Sequence, residues 1–499
     1  AGQTAGWHLA QGALHLRQRE LPAAEAALRQ ALALDPQSRV AHSLLGNLAL
    51  LRNDPTNALA AFTAAAADAP WRSPYRIRLA DYYVNTGDAA TARKQLEEIK
   101  QKAPDFLPAL LRLASLDLAE QRYQEAEANL KLLLLREPAH LEALFLQARL
   151  HLAQNQPDKA VLALERAAKA FPRVPQVHYQ MAIARLAQND LPGAVQSLNE
   201  ALTLAPDMTE ATLLLAELDL RRGNPGAAIT SLTRLVGKQP GRVDARLLLA
   251  AAHRAARQPE AALKIYDDLS RRFPTNPQPA FLRGLVLGQE GKTAVARRSF
   301  EQALQFAPQF TAALEQLVNL DLSEGRFAAA AQRVQAEIAR EPTNATPHLL
   351  LARVYLAQTN LPAAESTLLR ARELNPTSSA VNALLARTYV LGNKHAAALK
   401  QFDEIVARNT NDVAAWLQLG LLHSANSNYV AARDAYEKLL QADPNYVPGL
   451  NNLAYLYSER LGDLKRAYEL GSRARELMPN DPFTADTFGW ILYHRKEYP

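Results

Sequence analysis

Apolar and polar residues recur along the chain with helical spacing, and the pattern restarts every 34 residues. Proline marks the period. It stands at residues 36, 70 and 104 and onward in equal steps to Pro376, yields to Thr410, and resumes at Pro444. A one-residue insertion then moves the last mark to Pro479. With that proline counted as repeat position 32, positions 4, 7, 8 and 11 share one face of a first helix. Positions 20, 24 and 27 share one face of a second. Position 8 is Gly or Ala from Gly12 to Ala454, with Val318 the exception, and position 20 is alanine in every full repeat from Ala24 to Ala432, with Ala467 after the insertion. Position 24 carries bulk, as in Phe62, Leu96, Tyr266, Phe300 and Tyr436.

Small residues at 8 and 20 let the two helices approach, and the large side chain at 24 fills the space beside them. The proline closes the second helix, because it lacks an N–H and clashes with the preceding turn. The spacing therefore predicts an antiparallel helix pair with one sticky face, stable only when stacked on its neighbours. Residues 1–4 read as the remnant of a leader ahead of the first helix, since the chain opens at Ala1 rather than Met. Residues 5–479 read as one continuous array of 14 repeats, and 480–499 as the first helix of a truncated fifteenth.

The pattern resembles the tetratricopeptide repeat, a 34-residue pair with small residues at 8 and 20 and proline at 32. Ala414 to Pro444 is a close match, with Trp416, Leu419, Gly420, Ala432, Tyr436 and Pro444 in the family's slots. The resemblance implies an all-α, right-handed superhelical solenoid of antiparallel helix pairs. At about 8–10 Å between packed helices, 14 such pairs make a contour on the order of 140 Å. A slower rhythm is superposed: Asp117, Asp219 and Asp321 hold one repeat position, 102 residues apart, so three-repeat blocks look to have been duplicated together.

Composition narrows the chemistry. The absence of cysteine excludes disulfides, thiolate metal sites and a cysteine nucleophile. No apolar run approaches the length that crosses a bilayer. The net charge of +6 is evenly spread, with 28 Lys/Arg against 25 Asp/Glu in residues 1–250 and the same counts in 251–499. Nucleic-acid binders usually concentrate their base, so no nucleic-acid partner is expected. Gly284 to Thr293, "GLVLGQEGKT", has the look of a phosphate loop. However, the glycine such a loop needs five residues before Gly-Lys-Thr is Val286, and the stretch lies in a helix rather than after a strand. Gly284 is the packing residue at position 8 and Gly291 lies at the interhelix turn, as Gly87 and Gly325 do; only Gly288 is left over. His15, His151, His253 and His423 share position 11, a semi-buried slot, and no histidine has metal-ligand spacing. No enzyme, cofactor or metal site is expected.

In this family the first helices line the concave face through positions 2, 5, 9 and 12, a surface suited to a peptide or helix of a partner protein. Position 5 reads Leu111, Phe145, Tyr179, Leu213, Leu247 and Phe281 in repeats four to nine. At position 9, Arg149, Arg353 and Arg387 offer guanidinium groups for a partner's carboxylates or for pairs within the array. The lysine–asparagine clamp of chaperone-binding repeats is absent, as is the asparagine ladder of the glycosyltransferase-linked repeats. The closing segments "NNLAYLYSER" and "PNDPFTADTFGWILYHRKEY" resemble large bacterial tetratricopeptide proteins of exopolysaccharide export and exosortase (PEP-CTERM) sorting. That resemblance implies a bacterial scaffold outside the cytoplasm, periplasmic or lipid-anchored, with the cytoplasm as alternative. It makes Asn451, Tyr455, Ser458 and Trp490 a second candidate patch. The expected function is a non-catalytic protein-binding scaffold. The alternatives are an arm of a larger enzyme and self-association through the superhelix ends.

Overall fold

The computed structural model describes residues 4–497. Among them 29 α-helices succeed one another with no strand. The fourth repeat is representative: a first helix, Leu107–Ala119, turns back into a second, Tyr123–Arg136. The reading of residues 1–4 as a leader falls mostly outside the described residues; Thr4 itself caps the first helix, accepting a hydrogen bond from the Trp7 N–H. The array divides into two compact units, one to Arg257 and one from Gln258, with the division in the turn of the eighth repeat. Within each unit the helices of a repeat pack on each other and the second helix packs on the first of the next repeat.

The packing rule at positions 8, 20 and 24 holds in atoms. Alanine at position 20 is fully buried from Ala24 through Ala467. A Cβ on Gly46 would stand 2.5 Å from the Phe62 ring, and one on Gly284 at the same distance from Phe300. Leu96, Leu130 and Leu164 at position 24 stand instead beside alanine at position 8: Ala80, Ala114 and Ala148. Val318, the odd residue of the sequence pattern, shares a core cluster with Val334, the smaller residue at its own position 24. Volume is traded in these pairs but not in all, since Gly12 meets Leu28 and Ala250 shares its repeat with the buried Tyr266. Replacing a buried leucine such as Leu96 by alanine costs about 2–5 kcal/mol.

Every interhelix turn uses one residue in the left-handed region at position 15. Glycine fills it at Gly87, Gly223, Gly291 and Gly325, but Arg19, Gln121, Arg257, Thr359 and Ser427 adopt it as well. The one-residue insertion near the C-terminus appears as a π-helical turn, Tyr457–Leu461, closed by Gly462 at φ 71°. It continues the helix Val447–Leu456 without breaking it. Gly288 lies exposed in the helix Pro277–Gln289, where a Cβ would meet only Ala296 at 4.0 Å. Among the described residues no helix is long and apolar enough to cross a membrane.

Candidate functional site

The groove face of the N-terminal unit is built by positions 2, 5, 6 and 9 of successive first helices. In repeats two to four it is tied together by arginines reaching back one repeat. Arg78 at position 6 donates to Asn47 Oδ1 at position 9 of the preceding repeat, 2.7 Å away. One repeat on, Arg112 Nε donates to Asp81 Oδ1 at the same distance. The ladder then stops. Position 6 of repeat five is Leu146, and it faces Ser115 rather than an ionic partner. There the surface opens into a concavity of about 510 Å³ with Leu111, Phe145 and Leu146 on its floor and Arg112, Glu142 and Arg149 at its rim. Leu111 and Phe145 are half-buried, resting on the core of repeats four and five. Arg149 is exposed and has no partner among the described residues.

Tyr179, Leu213 and Leu247 continue position 5 as half-buried residues. The Tyr179 phenol is pushed above its ordinary value, first by burial and then by the Glu210 and Glu217 carboxylates. Those acids, at positions 2 and 9 of repeat seven, therefore face the groove as Glu142 and Arg149 do in repeat five.

The C-terminal unit treats the same positions differently. Phe281 is taken up by packing, edge-on to Phe310 at 5.1 Å and tilted against Phe300 at 5.8 Å. Arg353 closes on the repeat before it, with Nη1 3.0 Å from Glu315 Oε1 and Nη2 2.7 Å from Asn319 Oδ1. Its guanidinium is spent within the array. Arg387 is exposed, with no partner among the described residues.

At the C-terminal patch Asn451 is half-buried with its Oδ1 unpaired, Tyr455 is exposed, and Ser458 Oγ donates to the Tyr455 carbonyl at 3.0 Å. Trp490 Nε1 donates to Glu459 Oε1 at 2.5 Å, and the ring stacks on Tyr493 at 5.5 Å. His494 Nε2 lies 3.1 Å from the same carboxylate. Glu459, which no pattern in the sequence singled out, is thus a polar tether of the last helix, whose Ile491 is fully buried in the core. The arginine ladder was also missed, although arginine at position 6 with an acceptor at position 9 one repeat earlier is its signal.

The position-11 histidines behave structurally. His15 Nδ1 sits 2.6 Å from Glu20, and His151 is buried, which holds its imidazole below the ordinary value. Among the described residues no cluster of three acidic or histidine side chains is arranged to hold a metal ion.

Family models described as "Tetratricopeptide repeat" match most of this surface and its scaffold. One matches residues 49–116, 185–240, 219–284 and 321–387; a second matches 9–73, 111–175, 145–209 and 384–447; a third matches 435–469. The chain is a tetratricopeptide-repeat protein. It is 26% identical over 196 residues to a "TPR repeat-containing protein" of Treponema pallidum (strain Nichols), covering 36% of this chain and 23% of that one. It is 37% identical over 86 residues to "Uncharacterized protein ycf37" of Pyropia yezoensis, covering 17% and 48%. The tetratricopeptide array thus spans less than half the length of either relative. Among solved structures it is similar to the APC/C hetero-tetramer Cut9–Hcn1, with TM-score 0.41, 17% identity, and 97% and 95% of the two chains covered. A tetratricopeptide repeat protein of Parabacteroides merdae ATCC 43184 gives TM-score 0.37 and 17% identity over 50% of this chain and 99% of that one.

Proposed function

We propose that this tetratricopeptide array is a non-catalytic scaffold that holds a peptide or helical segment of a partner protein against its first helices. The observation that carries the reading is the concavity over repeats four and five. Its floor is apolar, with Leu111 and Phe145 only partly covered beside the buried Leu146, and Arg149 at its rim has no internal partner. An apolar floor supplies affinity on burial, at about 25 cal/mol per Å², and an unpaired guanidinium supplies orientation through charge-assisted bonds. The export and sorting systems that the closing repeats resemble supply the class of partner to try first.

A photo-cross-linking residue placed at Phe145, compared with one at the exposed Leu135 on the second helix, tests the assignment. Adducts with host proteins are expected at Phe145 and not at Leu135. Phe145→Ala should reduce capture of the same proteins while the helical CD signal stays intact. Undiminished capture by that variant would return Phe145 to a purely structural role.

A further inference from the structure

The groove of the N-terminal unit changes sign along its length. Repeats three to five present Arg78, Arg112 and Arg149 together with Asp81, which pairs with Arg112, and Glu142, which lies 3.8 Å from His140, so that Arg149 is the unpaired cation of this stretch. Two repeats further on, position 9 is Glu217 in place of Arg149, and Glu210 stands at position 2 as Glu142 does. Both are exposed, neither forms a salt bridge among the described residues, and Arg242 lies within electrostatic reach of Glu210. Between them lie only apolar or neutral groove residues, with Tyr179 and Ile183 half-buried on the first helix of repeat six. The phenol of Tyr179 feels both acids, in keeping with their groove positions 2 and 9.

We infer that this groove takes an extended segment carrying an acidic side chain over Arg149 and a basic side chain over Glu210 and Glu217, with apolar side chains between. The inference rests on the proposed groove function and adds its chemistry. Geometry sets the spacing. Two repeat steps at about 8–10 Å each separate the charged sites by about 16–20 Å. An extended chain rises about 3.3 Å per residue and turns alternate side chains to one face. The acid and the base therefore stand about six residues apart, and the second and fourth residues between them pass over the apolar surface that runs from Phe145 to Tyr179 and Ile183. The pattern is acid–x–apolar–x–apolar–x–base, in one order only with respect to the groove. Opposed charges along a groove set register and reject the reversed orientation more than they add affinity.

A displayed library of random peptides, selected on the full chain and again on the Phe145→Ala chain, tests this. Enrichment of the seven-residue pattern is expected. Binding by such a peptide should weaken about tenfold on Arg149→Glu and again on Glu217→Lys. The double variant Arg149→Glu/Glu217→Lys should recover affinity for the peptide with its two charged residues exchanged. Peptides that depend on Phe145 but show no charge order, or that ignore the exchange, overturn this inference and leave the groove function standing. Enriched peptides indifferent to Phe145, or no enrichment, overturn both. CD spectra of the charge variants should match the parent, since these side chains are exposed.

Discussion

Asp117→Asn and Asp219→Asn are one edit at one repeat position, and we expect them to shift local stability in opposite directions. Asp117 is fully buried. Its Oδ1 accepts from Arg93 Nη1 at 2.6 Å and its Oδ2 from Asn129 Nδ2 at 2.9 Å, while the other arm of Arg93 reaches Glu120 at 2.8 Å. The same knot recurs in the third block, where Arg297 grips Asp321 at 2.5 Å and Glu324 at 2.9 Å. In the middle block the arginine slot holds Val195. The asparagine slot holds Ser231, whose hydroxyl donates to the Ala228 carbonyl at 3.1 Å. Asp219 is nonetheless buried, and burial pushes its carboxyl up, with Arg222 only partly opposing.

Removing the charge at Asp117 strips Arg93 of its shorter charge-assisted bond but leaves Glu120. Breaking a fully buried pair costs about 3–5 kcal/mol, and a single bond to a charged group is worth about 1.5–3 kcal/mol. Because one arm survives, about 2–3 kcal/mol is expected. Asp219→Asn should instead gain on the order of 1 kcal/mol, since an under-paired buried carboxylate is relieved. The raised folded value fixes the pH sign. The folded state holds the Asp219 proton more tightly than the unfolded chain, so the penalty is absent below the unfolded value near pH 4. It sets in as pH rises above the unfolded value and levels off only above the raised folded one. The advantage of Asp219→Asn should therefore be present at pH 7 and vanish near pH 3.5.

An array of this length need not unfold in one step, so the assay is native-state hydrogen exchange read repeat by repeat. Amides of Leu107–Arg136 should exchange about 30- to 150-fold faster in Asp117→Asn. Those of Thr209–Lys238 should slow about fivefold in Asp219→Asn. Two shifts of the same sign would refute the claim that the arginine slot decides the outcome.

Other substitutions test the scaffold rules. Thr359→Gly should stabilise the eleventh repeat by about 1 kcal/mol, because a β-branched residue is held at φ 56°; slower exchange over Ala345–Leu374 is the readout. Gly420→Ala should cost about 1–3 kcal/mol by driving a methyl into the Tyr436 ring, seen as a lower thermal midpoint. Gly288→Ala, in open space at the exposed end of its helix, should gain about 0.5 kcal/mol and leave peptide capture unchanged.

The fold was legible because each packing constraint is stated many times over. Position 20 admits only alanine where two helices touch, and the repetition turns a local rule into a visible period. Even Val318 became intelligible once paired with Val334. The left-handed turn was only partly legible. Gly87 and Gly325 advertised it, whereas Arg19 and Thr359 adopt it because flanking helices already locked in place leave the chain no other route. Groove residues carry no such redundancy, so their roles depend on single neighbours. Arg353 is spent because Glu315 and Asn319 lie one repeat back; Arg149 is free because Leu111 and Ser115 occupy those slots. Phe281 packs edge-on against Phe310, while Phe145 has no aromatic partner at the corresponding position, where the smaller Val174 stands.

The slipped count between Pro444 and Pro479 shows what repetition reveals when it fails. A helix that must admit one extra residue without losing its neighbours can widen a single turn to the i→i+5 pattern, and Tyr457–Leu461 does so. Widening rotates the chain beyond the turn, and two side chains of the turn use the change. Tyr457 Oη donates to Glu437 at 2.8 Å and accepts from Arg466 Nη1 at 2.7 Å, joining helices before and after. Glu459 swings toward the terminal helix, accepting from Trp490 Nε1 and lying against His494. Trp490 and His494 of the distinctive C-terminus are therefore bound, on their ring nitrogens, to the one place where the repeat breaks its own period. Trp490 is held by this contact before any partner arrives, and its ring, stacked on Tyr493, stays about half exposed.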